Sequence, residues 1–166
     1  MLLFRFLIIL VLLISGLGGR ASAQTAYITP EEALKIHFAS SQEIVDEAKI
    51  LDFKTWRFYL AKTNGKVDGY AVIDSEVGKT EPITLMTFFD AKGVVTGVEI
   101  LVYRETYGSE VTQPNWRKQF VGKKKEDPLK IGQDIANMTG ATLSSRAVTK
   151  AVKRDIAVWN TLYGKP

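Results

Sequence analysis

The sequence has no cysteine and a single histidine, His37, among its 166 residues. Without cysteine there can be no disulfide, no thiolate ligation of an iron–sulfur cluster and no thioether attachment of a c-type haem. A lone histidine equally excludes the usual histidine-containing zinc centre. Any redox chemistry therefore falls to an organic cofactor. Stability falls to an ordinary hydrophobic core, which a chain of this length can build as one domain. A marked excess of charge is missing too. Lys and Arg number 22 against 18 acids, and without Arg5 and Arg20 the balance is 20 to 18. That surplus is too small to point to a nucleic-acid partner.

Long apolar runs are also few, and the main one lies at the N-terminus. Arg5 is followed by Phe6–Ile14, then Ser15-Gly16-Leu17-Gly18-Gly19 and the small residues Ala21-Ser22-Ala23. A basic start, a short apolar segment and an A-x-A site predict a secretory signal peptide over residues 1–23 and a single domain over 24–166. The run is shorter than the ~20 residues of a spanning helix. Counted from Leu2 to Leu17 despite Arg5, it reads as an uncleaved anchor. Both readings place the domain across the cytoplasmic membrane, periplasmic or membrane-associated. With no cysteine after the run, a lipoprotein anchor is excluded.

Further along, Thr29-Pro30-Glu31-Glu32 predicts a helix start, with a capping hydroxyl, proline in the first turn and acids facing the dipole. That helix is expected to reach Phe38. Gln42–Leu51 reads as helix or a short extended piece. Trp56, Phe58 and Leu60 then alternate with Arg57, Tyr59 and Ala61, the period of a strand. Asn64-Gly65 predicts a hairpin into Val67–Ile73. Ile83–Phe89 is a third strand, turned by Asp90-Ala91-Lys92-Gly93. In the fourth, Val94, Thr96, Val98, Ile100 and Val102 mark one face. Asn115–Val121 reads as a short helix carrying Trp116 and Phe120. The last element is an amphipathic helix on Val148, Val152, Ile156, Trp159 and Leu162, with Ser144 or Ser145 as its cap. The expected fold is α+β: an antiparallel meander of about four strands flanked by N-terminal and C-terminal helices.

The stretch most suggestive of chemistry is Asp134 to Ser145, where a loop enters that final helix. Gly140 permits close backbone approach, and the first N–H groups of the helix attract an anion. Thr139, Thr142, Ser144 and Ser145 add hydroxyls. Spacing alone fits both a phosphate site and an ordinary Ser/Thr-capped helix after a glycine turn.

Thr139-Gly140-Ala141-Thr142-Leu143-Ser144 resembles the [ST]-G-A-T-x-[ST] signature of the FMN-binding domain family. That family includes the flavin-carrying C and G subunits of the sodium-pumping NADH:quinone oxidoreductase and the Rnf complex. Tyr103-Arg104-Glu105-Thr106-Tyr107-Gly108 resembles the family's E-[TS]-x-G element, and Trp116, Gln119-Phe120 and Gly122-Lys123 follow as W…QF…GK does in many members. The similarity runs from about Gly69 to the end and looks closest to small exported FMN-binding proteins.

The resemblance implies FMN as cofactor, esterified through its phosphate to Thr142 by a flavin transferase that uses FAD and Mg²⁺. Thr139, Gly140, Ala141, Leu143, Ser144 and Ser145 would surround the phosphate. Glu105 and Thr106, with Tyr107, Met138, Leu143 and Trp116, would line the ring. One position departs from the transferase pattern D-x-x-[ST]-G-A-T: Ala136 stands where aspartate is expected, and Asp134 lies two residues early.

The expected function is an exported electron-transfer flavoprotein serving a membrane or extracytoplasmic redox partner, more a carrier than an independent enzyme. A scaffold module that has lost flavinylation and a small-substrate flavin reductase are the alternatives. His37 reads as a surface or packing residue. For Trp116 and Phe120, core packing and a flavin wall stand equal. Lys123–Lys125 reads as a solvated turn.

Overall fold

A computed structural model describes residues 25–164; the expected signal or anchor lies outside the described residues. The first helix, α1 (Pro30–His37), starts at Thr29 with a reciprocal capping box. The Thr29 hydroxyl accepts from the Glu32 N–H at 3.2 Å, and the Glu32 carboxylate accepts from the Thr29 N–H at 2.9 Å. This satisfies backbone donors that a helix start leaves open.

Six strands form one antiparallel sheet: β1 (Thr25–Ala26), β2 (Glu43–Leu51), β3 (Lys54–Thr63), β4 (Lys66–Val77), β5 (Pro82–Asp90) and β6 (Val95–Tyr103). Their order is β1-β6-β5-β4-β3-β2, a meander with β1 added at its outer edge. The α+β class is as expected, with two strands more than the sequence suggested. β1 is only two residues long. β2 pairs along its whole length with β3, yet neither of its faces is buried. With no apolar alternation to read, its strand character comes from pairing alone.

Both faces of the sheet are covered. The larger core packs Phe58, Val72, Leu85, Phe89 and Ile100 beneath the long helix α3 (Thr142–Leu162). On the other face α1 lies over Tyr59, Ala71, Met86, Phe88 and Leu101. This second layer explains why Tyr59 and Ala61 are buried although they alternate with the α3-facing side chains. The face expected for β6 does not hold throughout. Register shifts in the β5–β6 ladder turn Val95, Val98 and Ile100 towards α3, while Thr96 is exposed.

The hairpins give the sheet two distinct ends. Asn64 and Gly65, both at positive φ, form the predicted turn at one end. The same end holds the Ala91–Gly93 turn, where a Cβ on Gly93 would overlap the Trp159 ring near the close of α3. At the opposite end lie the Asp52–Phe53 turn, the Gly78–Glu81 turn, Thr25 paired with Tyr103, and the start of α3.

In its middle turns α3 is fastened through buried charge. Asp74 on β4 binds Lys54 at 2.8 Å and Arg154 at 2.5 Å, and its side chain is 1% exposed. Burial pushes the Asp74 carboxyl up, but the hydrogen bonds of Lys54 and Arg154 outweigh it and hold it below the usual range. Asp155 is fully buried and accepts from the Thr87 hydroxyl at 2.6 Å. Its other oxygen has no hydrogen-bond partner. Burial first, then the charge of Asp74, raises the Asp155 carboxyl well above its ordinary value.

Candidate functional site

The chain approaches α3 through a tight turn. Gly140 has φ +83°, and the Ala141 N–H reaches the Met138 carbonyl at 3.0 Å. Because this turn reverses the chain so abruptly, the helix begins at Thr142, earlier than the serine caps predicted. Ser144 and Ser145 are inside its first turn, and no side chain caps the Ala141 end. The N–H groups of Thr142, Leu143 and Ser144 precede the first intrahelical bond, from Ser145 N–H to Ala141 O at 2.8 Å. They form the positive end of a helix of 21 residues.

Ser145 acts on the loop instead of capping. Its hydroxyl donates to Ala141 O at 2.9 Å and accepts from the Met138 N–H at 3.3 Å, clamping the turn to the helix. Ser144 is also buried. The Tyr103 hydroxyl gives its one proton to Tyr107 O at 2.6 Å, so Ser144 donates to Tyr103 across 2.8 Å. Burial pushes the Tyr103 phenol up, which keeps it a donor. Gly108, at φ +92°, fits beside this pair, where a Cβ would lie 2.5 Å from Ser144 Oγ. The 3₁₀ turn Ser109–Thr112 follows.

What remains open is the rim. Thr139 and Gly140 are exposed and Thr142 and Met138 half-buried. Leu143 is 46% exposed and Tyr107 81%. The Thr142 hydroxyl accepts from the Asn137 amide at 3.0 Å, leaving its own proton free to donate. Asn137 carried no sequence signal, since its role depends on the turn that folds it back over the helix start. Behind Gly140 stands Glu110, with one carboxylate oxygen 3.5 Å from where a Cβ on that glycine would be. Its other oxygen is buried without a partner.

The E-T-x-G block reaches the same end by another route. The Glu105 carboxylate accepts the N–H groups of Lys79, Thr80 and Glu81 and the Thr80 hydroxyl. Burial raises the Glu105 carboxyl, but these backbone donors outweigh it and leave it below the ordinary value. Glu105 thus fixes the Gly78–Glu81 turn, while Thr106 beside it is exposed.

The loop preceding the motif is held from the side. Pro114–Arg117 forms the short helix α2 and Lys118–Phe120 a 3₁₀ turn, in place of one continuous helix over Asn115–Val121. Trp116 is buried and packs edge-on against Phe120 with centroids 5.3 Å apart, so both are core residues. The Trp116 indole donates to Ala136 O at 2.9 Å, and Gln119 accepts the Ala136 N–H at 2.7 Å. Both backbone groups of Ala136 are thereby fixed while its side chain faces solvent.

Asp134 is committed elsewhere, accepting from the Leu129 and Lys130 N–H groups and binding Lys123 at 2.9 Å. Lys123 is therefore a structural cation, 18% exposed, unlike the exposed Lys124 and Lys125. This corrects the reading of all three as a solvated turn. His37 packs flat on Phe88 at 3.9 Å and meets Glu99 at 3.1 Å, as a packing residue.

Known proteins bear on this arrangement. The G subunit of the Na(+)-translocating ferredoxin:NAD(+) oxidoreductase complex of Acetobacterium woodii is 32% identical over 114 residues, covering 63% of this chain and 55% of the relative. The G subunit of the proton-translocating ferredoxin:NAD(+) oxidoreductase complex of Clostridium ljungdahlii is 29% identical over 152 residues, covering 84% and 80%. The chain spans about half the length of several curated relatives it matches. In fold it is similar to the crystal structure of the C subunit of Na(+)-translocating NADH-quinone reductase from Parabacteroides distasonis. The TM-score there is 0.57 at 16% identity, over 84% of this chain and 86% of the other. Residues 78–157 match the FMN-binding domain, a span that holds both the Glu105 cradle and the turn into α3. Over residues 78–157, just under half of its length, the chain carries an FMN-binding domain, and its cofactor is FMN.

Proposed function

We propose that this protein is an exported electron carrier whose FMN is esterified to Thr142. The uncapped start of α3 carries the reading. Unclaimed N–H groups, the exposed Thr139–Gly140 turn and a half-buried hydroxyl at the first helical position suit a phosphate monoester. The residues present fit FMN: the N–H groups of Thr142, Leu143 and Ser144 would hold the phosphate, and the exposed Leu143 and Tyr107 offer apolar surface to the ring. Bound there, FMN supplies the electron-carrying chemistry, and the protein binds, orients and shields it. Thr142 Oγ, already oriented by Asn137, would displace AMP from FAD and lose its proton, with a flavin transferase as the catalyst. A covalent bond keeps the cofactor from escaping outside the cytoplasmic membrane. The electrons would pass to or from a membrane or extracytoplasmic partner, in keeping with relatives that are subunits of ion-translocating oxidoreductase complexes.

A second reading is a scaffold module of the same fold without flavinylation, and Ala136 favours it. The two separate on a denaturing gel viewed under ultraviolet light, after production of the full chain together with a flavin transferase. A fluorescent band that vanishes in Thr142→Ala supports the carrier. A dark band, with no FMN recovered from the native protein, supports the scaffold. NADH or NADPH oxidation by the isolated holoprotein would instead mark a reductase.

A further inference from the structure

We infer that the end of the molecule holding the Asp52–Phe53 turn, the Gly78–Glu81 turn and the start of α3 seats on a lipid bilayer. Of the exposed large apolar side chains, Ile36, Ile44 and Val121 lie away from this end, but Phe53, the most exposed of all, lies on it with Ile50 and Val77. Phe53 is fully exposed, Ile50 is 77% exposed and Val77 55%, and all three lie at or beside the turns of this end. Between the β2–β3 turn and β6 the sheet is four strand spacings wide, roughly 19 Å at ~4.8 Å each. The opposite end shows Asn64, Gly65, Lys66, Ala91 and Lys92 at its turns.

Phe53 is the most telling of these residues. Asp52 has φ +50° and Phe53 φ +60°, the pair of positive angles a two-residue hairpin turn requires. Asn-Gly fills such a turn without strain, as at Asn64-Gly65, whereas a bulky side chain there is a steric outlier. Here an aromatic ring occupies the outlier position and touches water on all sides. Packing within this chain gives it no reward, but burial in the interfacial region of a bilayer would.

The occupant is identified by where the chain enters. Thr25, the first described residue, pairs with Tyr103 at this same end. The sequence before it contains Leu2–Leu17, apolar except for Arg5 and Ser15. From Leu17 to Thr25 there are eight residue steps, at most about 28 Å of extended chain. On the reading of that segment as an uncleaved anchor, this short reach brings the end that carries Thr25 to the membrane surface. No helix among the described residues is long and apolar enough to cross a membrane; the contact inferred here is made by turns. It stands independently of flavin attachment.

The absence of native cysteine makes the test direct. Val77→Cys and Lys92→Cys, each in the full chain, report on the two ends after labelling with an environment-sensitive fluorophore. With phosphatidylethanolamine–phosphatidylglycerol vesicles, the label at 77 should shift to the blue and be quenched by nitroxide-bearing lipids. The label at 92 should stay accessible to iodide. Adding Phe53→Ser should cut the lipid quenching at 77 at least threefold, with an unchanged circular dichroism spectrum. Equal iodide access at both positions would overturn the proposal, as would quenching at 77 indifferent to Phe53→Ser. A shift at 77 seen only when host membrane proteins are added to the vesicles would also overturn it, because the surface would then dock a protein. None of these readouts involves the cofactor, so a chain free of flavin that still seats its turns separates this inference from the electron-carrier reading.

Discussion

The first turn of α3 and its middle turns handle polar groups in opposite ways. At Thr142–Ser144 backbone donors have no side-chain cap, and the outer hydroxyls reach solvent. Three turns further on, Asp155 is sealed beneath the sheet with Asp74, Thr87 and Arg154 around it. An unsatisfied group buried in the interior costs stability without offering anything to a ligand. An unsatisfied group at an open helix end costs little, because water serves it until a ligand does. The difference separates a site from a fastening, though both are unpaired polarity on one helix.

Substitutions should divide along that line. The largest loss of stability is expected from Asp74→Ala, which strips Lys54 and Arg154 of their shared carboxylate. The general cost of removing one partner of a buried pair is about 3–5 kcal/mol. Because Lys54 is half-exposed and rehydrates, about 2–3 kcal/mol is the expected loss, read from urea unfolding, with flavin occupancy unchanged. Loss of flavin in the still-folded variant would dissolve the distinction.

Tyr103→Phe lies between the two regions. It removes the hydroxyl shared by Tyr107 and Ser144 and should cost about 1–2 kcal/mol. It should also loosen Tyr107, detected as faster hydrogen exchange in the Gly108–Thr112 segment.

Asp155→Asn is smaller, and its sign depends on pH. A carboxyl raised in the folded state binds its proton more tightly there than when unfolded. Its contribution is complete below the unfolded value and declines as pH rises through the folded one. The amide cannot ionise, so the variant's melting temperature should hold steady over the interval between the unfolded and folded values of Asp155, where the parent's falls. Parallel curves would show that Asp155 is not the titrating group. Asp74, held low by Lys54 and Arg154, acts in the reverse direction, losing its contribution as pH falls through its folded value.

Smallest in stability is Ala136→Asp, an exposed change expected within about 0.5 kcal/mol. Flavin occupancy after production with the transferase should be equal or greater. A clear drop, measured by absorbance, would mean that residue 136 is not the position the transferase reads.

How much of this was legible beforehand follows the same division. Local signals sufficed for the capping box at Thr29, the Asn64-Gly65 hairpin and the periodic face of α3, because each is written in neighbouring residues. The motif Thr139–Ser144 was legible through family resemblance, and spacing alone left it beside an ordinary cap. β2 escaped because a strand buried on neither face has no alternation. The phase of β6 escaped because register shifts move its side chains. The serine caps were misplaced because a positive-φ glycine starts the helix early. Asp74 with Asp155, and Asn137 with Thr142, are pairings made by the fold, which no short-range pattern encodes.

The two contacts on the main chain of Ala136 have a consequence for substitution at that position. Trp116 and Gln119 grip the peptide groups, not the side chain, so residue 136 can be exchanged while the path into α3 stays put. Path and outward surface are thereby decoupled at this point: the tryptophan and glutamine beneath fix the one, and the side chain at 136 alone sets the other.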